Sequence, residues 1–482
     1  MKTSLKALGA VCVLALATPA ALWAQDEPAA VPDLAPAPAL AAPLPAPLPP
    51  LAPLSAADGQ AIALAIAAGE DAGIPGPDLA APLQALASGD EDARRTASDT
   101  VAAAAIALAA AEHGMRIDPH AADGDWPSPP PYDPGADFAA ARLAHAVPAW
   151  ADALAPTDPA YLALVAARKR YAQVVANGGW VRMGPFKPQK VRPKVTLLDV
   201  HLADEGYSDI ADFQSAHGLA PNGVLTQATL DALNVPAAVR LATIDANLER
   251  WRWFEHPFPA DRVVADIPAA EVDLYSEGAP VMPMRAIVGD ARHHTPILGS
   301  RISSIVFNPP WVVPASIAKA ESYPRERANP GYFRRNGFAV VNGQLIQKAG
   351  PKAALGYVKF DFPNRYAVYL HDTPGRSLFT RDARGLSHGC VRVQKPRELA
   401  AALLAPQNLT LEDVNAAIAT GDTKRVQLTV KAPVFILYRT AVARADGTLD
   451  FRPDVYGWDA TLGRALSARG GDANFTGPLA SR

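Results

Sequence analysis

The stretch YLHDTPGRSLFTRDARGLSHGCVRV, residues 369–393, decides which fold this chain is expected to adopt. Cys390 directly follows Gly389, and two imidazoles precede it, His388 nearby and His371 at the end of a predicted strand. A free cysteine is only slightly ionised at neutral pH, so a catalytic thiol needs a base or a cation beside it, and either histidine could be that base. Because Gly389 has no Cβ, the chain can turn sharply there, and nearby main-chain N–H groups are candidates for an oxyanion hole.

The first 24 residues predict a secretory signal peptide. Lys2 and Lys6 precede an apolar run that ends in small residues at Ala24. Loss of this segment removes Cys12 and changes the net charge from -3 to -5. The exported protein then has one cysteine, Cys390, which cannot form an internal disulfide and is either a buried inert residue or a reactive one. The near-neutral charge gives no sign of nucleic-acid binding, and no later apolar run is long enough for an integral membrane protein.

The composition changes along the N-terminal half. Dense Ala and Pro favour extended polyproline II structure and predict a linker over residues 25–56. Apolar residues at helical spacing then predict a helical scaffold domain over 57–194, continued by a helix over 237–256. Neither region carries residues that suggest chemistry.

Residues 195–236 have the pattern of three short helices. Gly218 suits the left-handed position that ends the second helix, and Pro221-Asn222-Gly223 predicts a turn. Thr226 is the predicted N-cap of the third helix. The sequence therefore predicts a small helical module separate from the scaffold.

From residue 260 the hydrophobic period becomes strand-like, which predicts a mostly antiparallel β domain over 260–440. Residues 319–355 contain Pro324, Pro330 and Gly331 and are expected to form an insertion that could act as a lid. Residues 441–482 are expected to form a C-terminal hairpin and tail. The predicted fold class is multidomain α+β, with a helical N-terminal scaffold, a small three-helix module and a mostly-β C-terminal domain.

The spacing of the chemical residues resembles a known family. His371 is followed by fifteen residues and then by Ser387-His388-Gly389-Cys390, a pattern similar to the YkuD-like L,D-transpeptidase catalytic domain. The segments TPI at 295–297 and FNPPWVVP at 307–314 resemble the same family. Phe213-Gln214, Asn222-Gly223 and their neighbours resemble the three-helix peptidoglycan-binding module, for which a purely structural spacer remains the alternative.

This resemblance implies that Cys390 is the nucleophile and His371 the base that activates it. Further site residues follow by the same resemblance: Gly389 and Ser387 for the turn, His388 and Tyr369 for shaping the site and holding the oxyanion, and Arg392 for ordering the loop or meeting a substrate carboxylate. No metal and no cofactor are expected. A zinc site built from His371, Asp372, His388 and Cys390 is disfavoured, because the spacing matches no ordinary zinc motif and a second cysteine is missing. His293-His294 is expected to be a solvated loop pair.

The function implied is a cell-wall L,D-transpeptidase of the periplasm or cell envelope that forms 3→3 peptidoglycan cross-links, or attaches a protein to the wall, through a cysteine thioester. Its expected partners are peptidoglycan stem peptides and glycan, and carbapenems are expected to acylate Cys390. One alternative keeps the site but uses water as acceptor, giving a carboxypeptidase or endopeptidase. Another is a non-catalytic peptidoglycan-binding scaffold.

Overall fold

The computed structural model describes residues 51–117, 126–184 and 196–470. The predicted signal peptide and most of the predicted linker lie outside these residues. The last residues of the predicted linker already belong to the helical scaffold, because Leu54 is buried and its N–H donates to Ser98 Oγ at 2.9 Å. Ser55 then caps the first helix in a capping box with Asp58.

Helices precede the sheet, as the sequence predicts. The scaffold and module helices are α1 Ala56–Asp71, α2 Ala80–Leu86, α3 Glu91–Glu112, α4 Pro134–Leu143, α5 Val147–Asp152, α6 Pro159–Ala176, α7 Leu197–Glu205, α8 Ile210–Ala216, α9 Gln227–Leu233 and α10 Ala237–Trp251. The helix predicted over 237–256 thus ends at Trp251. Arg252, directly after it, is fully buried and pairs with Glu112 of α3 at 3.1 Å and Glu249 of α10 at 3.4 Å. These paired charges join α10 to the scaffold.

The three short helices α7, α8 and α9 form around one glutamine. Gln214 Nε2 donates to Thr229 Oγ1 at 3.0 Å, and its Oε1 accepts from the N–H of Gly223 at 2.9 Å. Thr226 caps α9 by accepting from the N–H of Thr229, and Gly218 has a φ of +65° after α8. The predicted cap and turn positions are therefore confirmed.

The C-terminal domain contains the strands. They are β1 Arg262–Asp266, β2 Glu271–Ser276, β3 Ala279–Gly289, β4 Leu298–Phe307, β5 Trp311–Val312, β6 Phe338–Val341, β7 Gln344–Gln347, β8 Val358–Asp361, β9 Leu370–His371, β10 Gly385–Ser387, β11 Val391–Val393, β12 Lys424–Leu437, β13 Ala441–Ala443 and β14 Leu449–Phe451. The main sheet has the order β10-β3-β11-β9-β8-β4-β12-β1-β2, and a further β2–β3 pairing closes it on itself. Most pairings are antiparallel, whereas β1–β12, β9–β11 and β3–β10 are parallel. The predicted multidomain α+β layout is confirmed.

The insertion between β4 and β8 begins earlier than predicted. Its three-stranded sheet, β5-β7-β6, starts at Trp311 rather than at residue 319. Between β5 and β6 lie α11 Ala315–Ile317, a π-helical turn Ala318–Ser322, α12 Tyr323–Ala328 and α13 Tyr332–Arg335. A small apolar cluster of its own, around Val313, Ala318 and Leu345, holds this insertion together.

The C-terminal region contains more regular structure than predicted. After α14 Pro396–Leu404, α15 Leu411–Ala419 and β12, the hairpin β13–β14 is followed by α16 Trp458–Gly470, where the sequence suggested a tail. The carboxylate of Asp454 accepts from the N–H groups of Trp458 and Asp459 and so caps this helix. Across the part of the chain that the structure describes, no helix is both long and apolar enough to cross a bilayer.

Candidate active site

The sheet register brings the predicted catalytic residues onto adjacent strands. In the parallel β9–β11 pair, His371 is opposite Arg392 and Leu370 opposite Val391, so Cys390 lies beside Tyr369. The Val391 N–H donates to the Tyr369 carbonyl at 3.2 Å. Side chains two apart on a strand share a face. Tyr369 and Cys390 directly precede the two strands, and the Tyr369 ring lies 5.6 Å from that of His371.

The turn before Cys390 is built by Ser387 and Gly389. Ser387 Oγ donates to the Cys390 carbonyl at 2.6 Å and accepts from the Gly389 N–H at 3.1 Å. Gly389 has a φ of +105°, and a Cβ there would lie 3.0 Å from the His294 carbonyl oxygen. The Gly389 N–H is therefore already used. The Cys390 N–H has no acceptor among the described residues and is the better main-chain candidate for an oxyanion hole.

The side chain of Thr295 holds this turn in place through two hydrogen bonds. Thr295 Oγ1 donates to the Gly389 carbonyl at 2.8 Å and accepts from the Gly289 N–H at 2.8 Å. Tyr456 OH accepts from the Thr295 N–H at 3.2 Å and donates to the Gly289 carbonyl at 2.8 Å. The TPI segment thus serves to fix the catalytic turn. Tyr456 lies far from the motif in sequence, and sequence reasoning missed it.

Cys390 is a free cysteine, and the residue as a whole is partly exposed. Burial of most of its surface raises the pKa of the thiol above its ordinary value. Hydrogen bonds from Tyr369 act in the opposite direction, as do the positive charges of Lys359 and Arg392. The resting group is therefore a neutral thiol whose ionised form has favourable neighbours.

His371 is a buried, neutral imidazole. Its side chain is 4% exposed, and its Nδ1 faces the Asp372 carbonyl at 2.5 Å. Burial lowers the pKa of His371 to about 3, and the charges of Arg392 and Lys359 add to this effect. Because a carbonyl only accepts, Nδ1 carries the ring proton. The described residues contain no hydrogen bond between this ring and the Cys390 thiol, whose partner is Tyr369.

Asp372, next to the histidine, organises the loops around the site. Its buried carboxylate accepts from the Tyr357 N–H at 2.9 Å, the Thr373 N–H at 2.6 Å and the Arg376 guanidinium at 2.6 Å. A Cβ on Gly356 would lie 2.4 Å from this carboxylate. All three of these hydrogen bonds are with loop residues, so Asp372 positions the loops around the site.

Two cationic side chains, Arg392 and Lys359, lie at the site. Arg392 is partly buried, and its Nε has no hydrogen-bond partner among the described residues. Lys359 of β8 is opposite His371 in the register, and its Nζ lies 4.3 Å from the centre of the Tyr369 ring and 2.7 Å from Asp361. Sequence reasoning missed Lys359, because only the strand register brings it to the motif.

His388 contacts the insertion. Its Nε2 lies 2.6 Å from Glu321 Oε1, and its ring lies 4.6 Å from that of His293. His293 Nδ1 in turn lies 3.0 Å from Asp290. His293 is exposed, as expected for a solvated loop residue, and its ring also packs against that of His388 in the turn before Cys390.

The part of the chain described here contains no cluster of three or more His, Cys, Asp or Glu side chains arranged to hold a metal ion. The chemical groups of the site are instead a thiol, an imidazole, a phenol and two cations. This set can perform acyl transfer: a nucleophile, a base, and donors or charges for a developing anion.

Comparison with known proteins finds a similarity over the C-terminal domain. Residues 260–436 match the YkuD family model, described as the L,D-transpeptidase catalytic domain. A Haemophilus influenzae protein named "Putative L,D-transpeptidase" is 32% identical over 223 residues, which make up 42% of this chain and 45% of that protein. The match therefore spans less than half of the relative's length.

A similarity to one solved structure is much weaker. The structure described as the Ldtfm-avibactam carbamoyl enzyme aligns with 37% of this chain and 49% of its own, at a TM-score of 0.21 and 10% identity. A TM-score this low does not establish a shared fold. The similarity to the L,D-transpeptidase catalytic domain is found over residues 260–436.

Proposed function

We propose, from the YkuD L,D-transpeptidase catalytic domain that residues 260–436 form, that this protein exchanges one peptide bond of a cell-wall stem peptide for another through a thioester on Cys390. The donor is a stem whose third residue is linked to a terminal D-amino acid. The acceptor is the amine of a neighbouring stem, which gives a 3→3 cross-link, or an amine of an envelope protein.

The observation that supports this proposal is the parallel pairing of β9 with β11, because Cys390 directly precedes β11 and β9 ends in His371. Because the thiol is neutral at rest and His371 is an unprotonated imidazole, proton transfer must accompany attack rather than precede it. The Cys390 sulfur bonds to the donor carbonyl carbon while His371 accepts the thiol proton.

The rest of the exchange conserves atoms and electrons. The tetrahedral intermediate has its oxyanion stabilised by the Cys390 N–H and by the Tyr369 hydroxyl. Its C–N bond then breaks, and the departing amine of the terminal residue takes the proton from His371. In the second half, the acceptor amine attacks the thioester carbon, loses a proton to His371, and the thiol is regenerated with that proton.

The uncompensated charge of Arg392 supports a substrate that carries carboxylates. Arg392 lies two residues after Cys390, opposite His371, and its Nε is buried without an acceptor among the described residues. A buried cation is stabilised by an anionic partner. A stem peptide offers carboxylates close to the bond that reacts, and we assign one of them to Arg392.

Export to the periplasm or cell envelope, and binding to glycan by residues 195–236, belong to the same proposal. They rest on the leader-like N-terminal sequence and on the motif of the three-helix module. Their role would be to bring the catalytic domain to its polymeric substrate. Retention of the protein on insoluble wall sacculi, and its loss after Gln214→Leu, tests the module separately from catalysis.

The catalytic proposal is tested by incubating the protein with disaccharide tetrapeptide and separating the products by mass. Cross-linked dimers that have lost one terminal residue are expected, together with their absence for Cys390→Ala. Tripeptide monomers alone would assign the activity to hydrolysis instead of transfer. Unchanged products for Cys390→Ala would refute the whole site.

A further inference from the structure

The insertion of residues 311–355, hereafter the lid, contacts the site at three points. At its first end, the Trp311 side chain hydrogen-bonds to Tyr369. At its last end, the main chain of Leu355 lies beside the ring of His371 and raises its pKa against the effect of burial. Between them, Glu321 reaches His388, with 2.6 Å between Oε1 and Nε2. The two end contacts fix where the lid leaves the sheet, and Glu321 fixes its middle.

The Glu321 side chain is held in place from within the lid. It lies on the π-helical turn Ala318–Ser322, an uncommon geometry that often marks functional positions. Its second oxygen accepts from Arg325 at 2.8 Å. The lid is rich in exposed cations, and Glu321 and Glu326 are the acidic residues between positions 311 and 355. Glu326 accepts instead from the N–H groups of Gly331 and Phe333 within the lid.

His388, the partner of Glu321, is also held in place by its neighbours. His388 belongs to the turn that places Cys390, and its ring packs against His293, which is held by Asp290. Glu321 is 29% exposed and His388 37% exposed, so the contact lies at the rim of the site. It therefore connects the lid with the turn that precedes Cys390.

We propose that Glu321 is a positioning residue: through His388 it holds the lid over the thiol and so limits the access of water to the acyl-enzyme. The consequence for the reaction rests on the proposed function. A thioester waiting for an amine is exposed to hydrolysis, and a closed site lowers that competing rate. Glu321 thus favours transfer over hydrolysis without touching the reacting atoms.

The first test measures access to Cys390 and does not depend on the proposed function. Full-length protein is treated with iodoacetamide, and modification of Cys390 is followed by peptide mass mapping, because the chain also contains Cys12. Glu321→Gln is expected to speed modification by roughly two- to fivefold, the range that a rim ion pair supports. The control Glu326→Gln removes the same charge from the lid but keeps the contact with His388.

A double-mutant cycle tests whether His388 is the partner. In a His388→Gln background, Glu321→Gln should change the modification rate little, because the contact is already altered. Equal increases for Glu321→Gln in both backgrounds would overturn the proposal. So would an increase for Glu326→Gln as large as for Glu321→Gln, because the effect would then come from lid charge.

The second test measures the fate of the acyl group. With disaccharide tetrapeptide and a fixed amine acceptor, Glu321→Gln is expected to lower the ratio of cross-linked product to tripeptide by roughly two- to fivefold, while Glu321→Asp restores part of it. An unchanged ratio together with faster iodoacetamide modification would refute the effect on partition. If the wild type yields no cross-links, the proposed function fails, and the modification cycle still decides the role of Glu321.

Discussion

Replacement of Tyr369 by Phe should reduce the reactivity of Cys390 while leaving the fold unchanged. The hydroxyl of Tyr369 hydrogen-bonds to the Cys390 sulfur and lowers the pKa of the thiol against the opposing effect of burial. The Phe variant loses this bond but keeps the ring, the main-chain N–H and the strand. Because the sulfur accepts this bond most strongly as a thiolate, its loss penalises the ionised form.

The size of the effect follows from hydrogen-bond energetics. A bond to a charged group contributes about 1.5 to 3 kcal/mol, and one pKa unit corresponds to about 1.4 kcal/mol. The pKa of the thiol should therefore rise by about one to two units. Since the thiolate is the reactive form, alkylation at pH 7.5 should slow by about 10- to 100-fold.

The assay is the pH dependence of iodoacetamide modification at Cys390. Tyr369→Phe should shift the midpoint of the profile upward, with rates approaching the wild type at the alkaline end. Tyr366→Phe is a matched control, because that hydroxyl accepts from Arg365 at the surface and not from the site. Superimposable profiles for wild type and Tyr369→Phe would refute the account of the thiol.

Two further expectations concern stability and the catalytic turn. Burial lowers the pKa of both His371 and His217 to about 3, so the unfolded chain binds more protons than the folded one between that pH and about 6.5. The free energy of unfolding should therefore be flat above this window and fall as pH decreases through it. Denaturant titrations that give constant stability down to pH 4 would contradict this. Thr295→Val removes the hydroxyl that the Gly389 carbonyl and the Gly289 N–H share, so thermal unfolding should report a loss of about 1 to 3 kcal/mol, and alkylation of Cys390 should change. Thr295→Ser keeps the hydroxyl and should behave as wild type. Equal behaviour of the Val and Ser variants would show that these two hydrogen bonds do not hold the turn.

The linear motif made much of the site predictable. His371, Ser387, Gly389 and Cys390 were found because the residues that build a nucleophilic turn lie next to each other in sequence. The period of two also predicted that Tyr369 shares a face with His371, in agreement with the β9–β11 register. Both predictions depend only on residues that lie a few positions apart in the sequence.

Residues that reach the site through the closed sheet could not be predicted in this way. Lys359 enters through the register of β8, and Tyr456 through a segment that follows the β13–β14 hairpin. Their contacts depend on which strands pair, and a one-residue change of register would turn each side chain to the opposite face. The contact between His293 and His388 could not be predicted for the same reason.

The N-terminal cap explains why α16 was missed. Its first turn is satisfied by Asp454, which lies four residues before Trp458 across a glycine turn, rather than by a residue at the usual cap position. The apolar residues of α16 that are buried, such as Leu462, pack into the sheet core. Tertiary packing therefore selects a helix that the local pattern signals only weakly.

The most direct test of the central claim is the intact mass of the protein after brief exposure to disaccharide tetrapeptide. The account predicts an added mass equal to the donor minus the free amino acid that leaves, mapped to Cys390, labile to hydroxylamine as a thioester should be, and missing in Cys390→Ser. The absence of any adduct under conditions that yield product, or an adduct carried elsewhere in the chain, would contradict it.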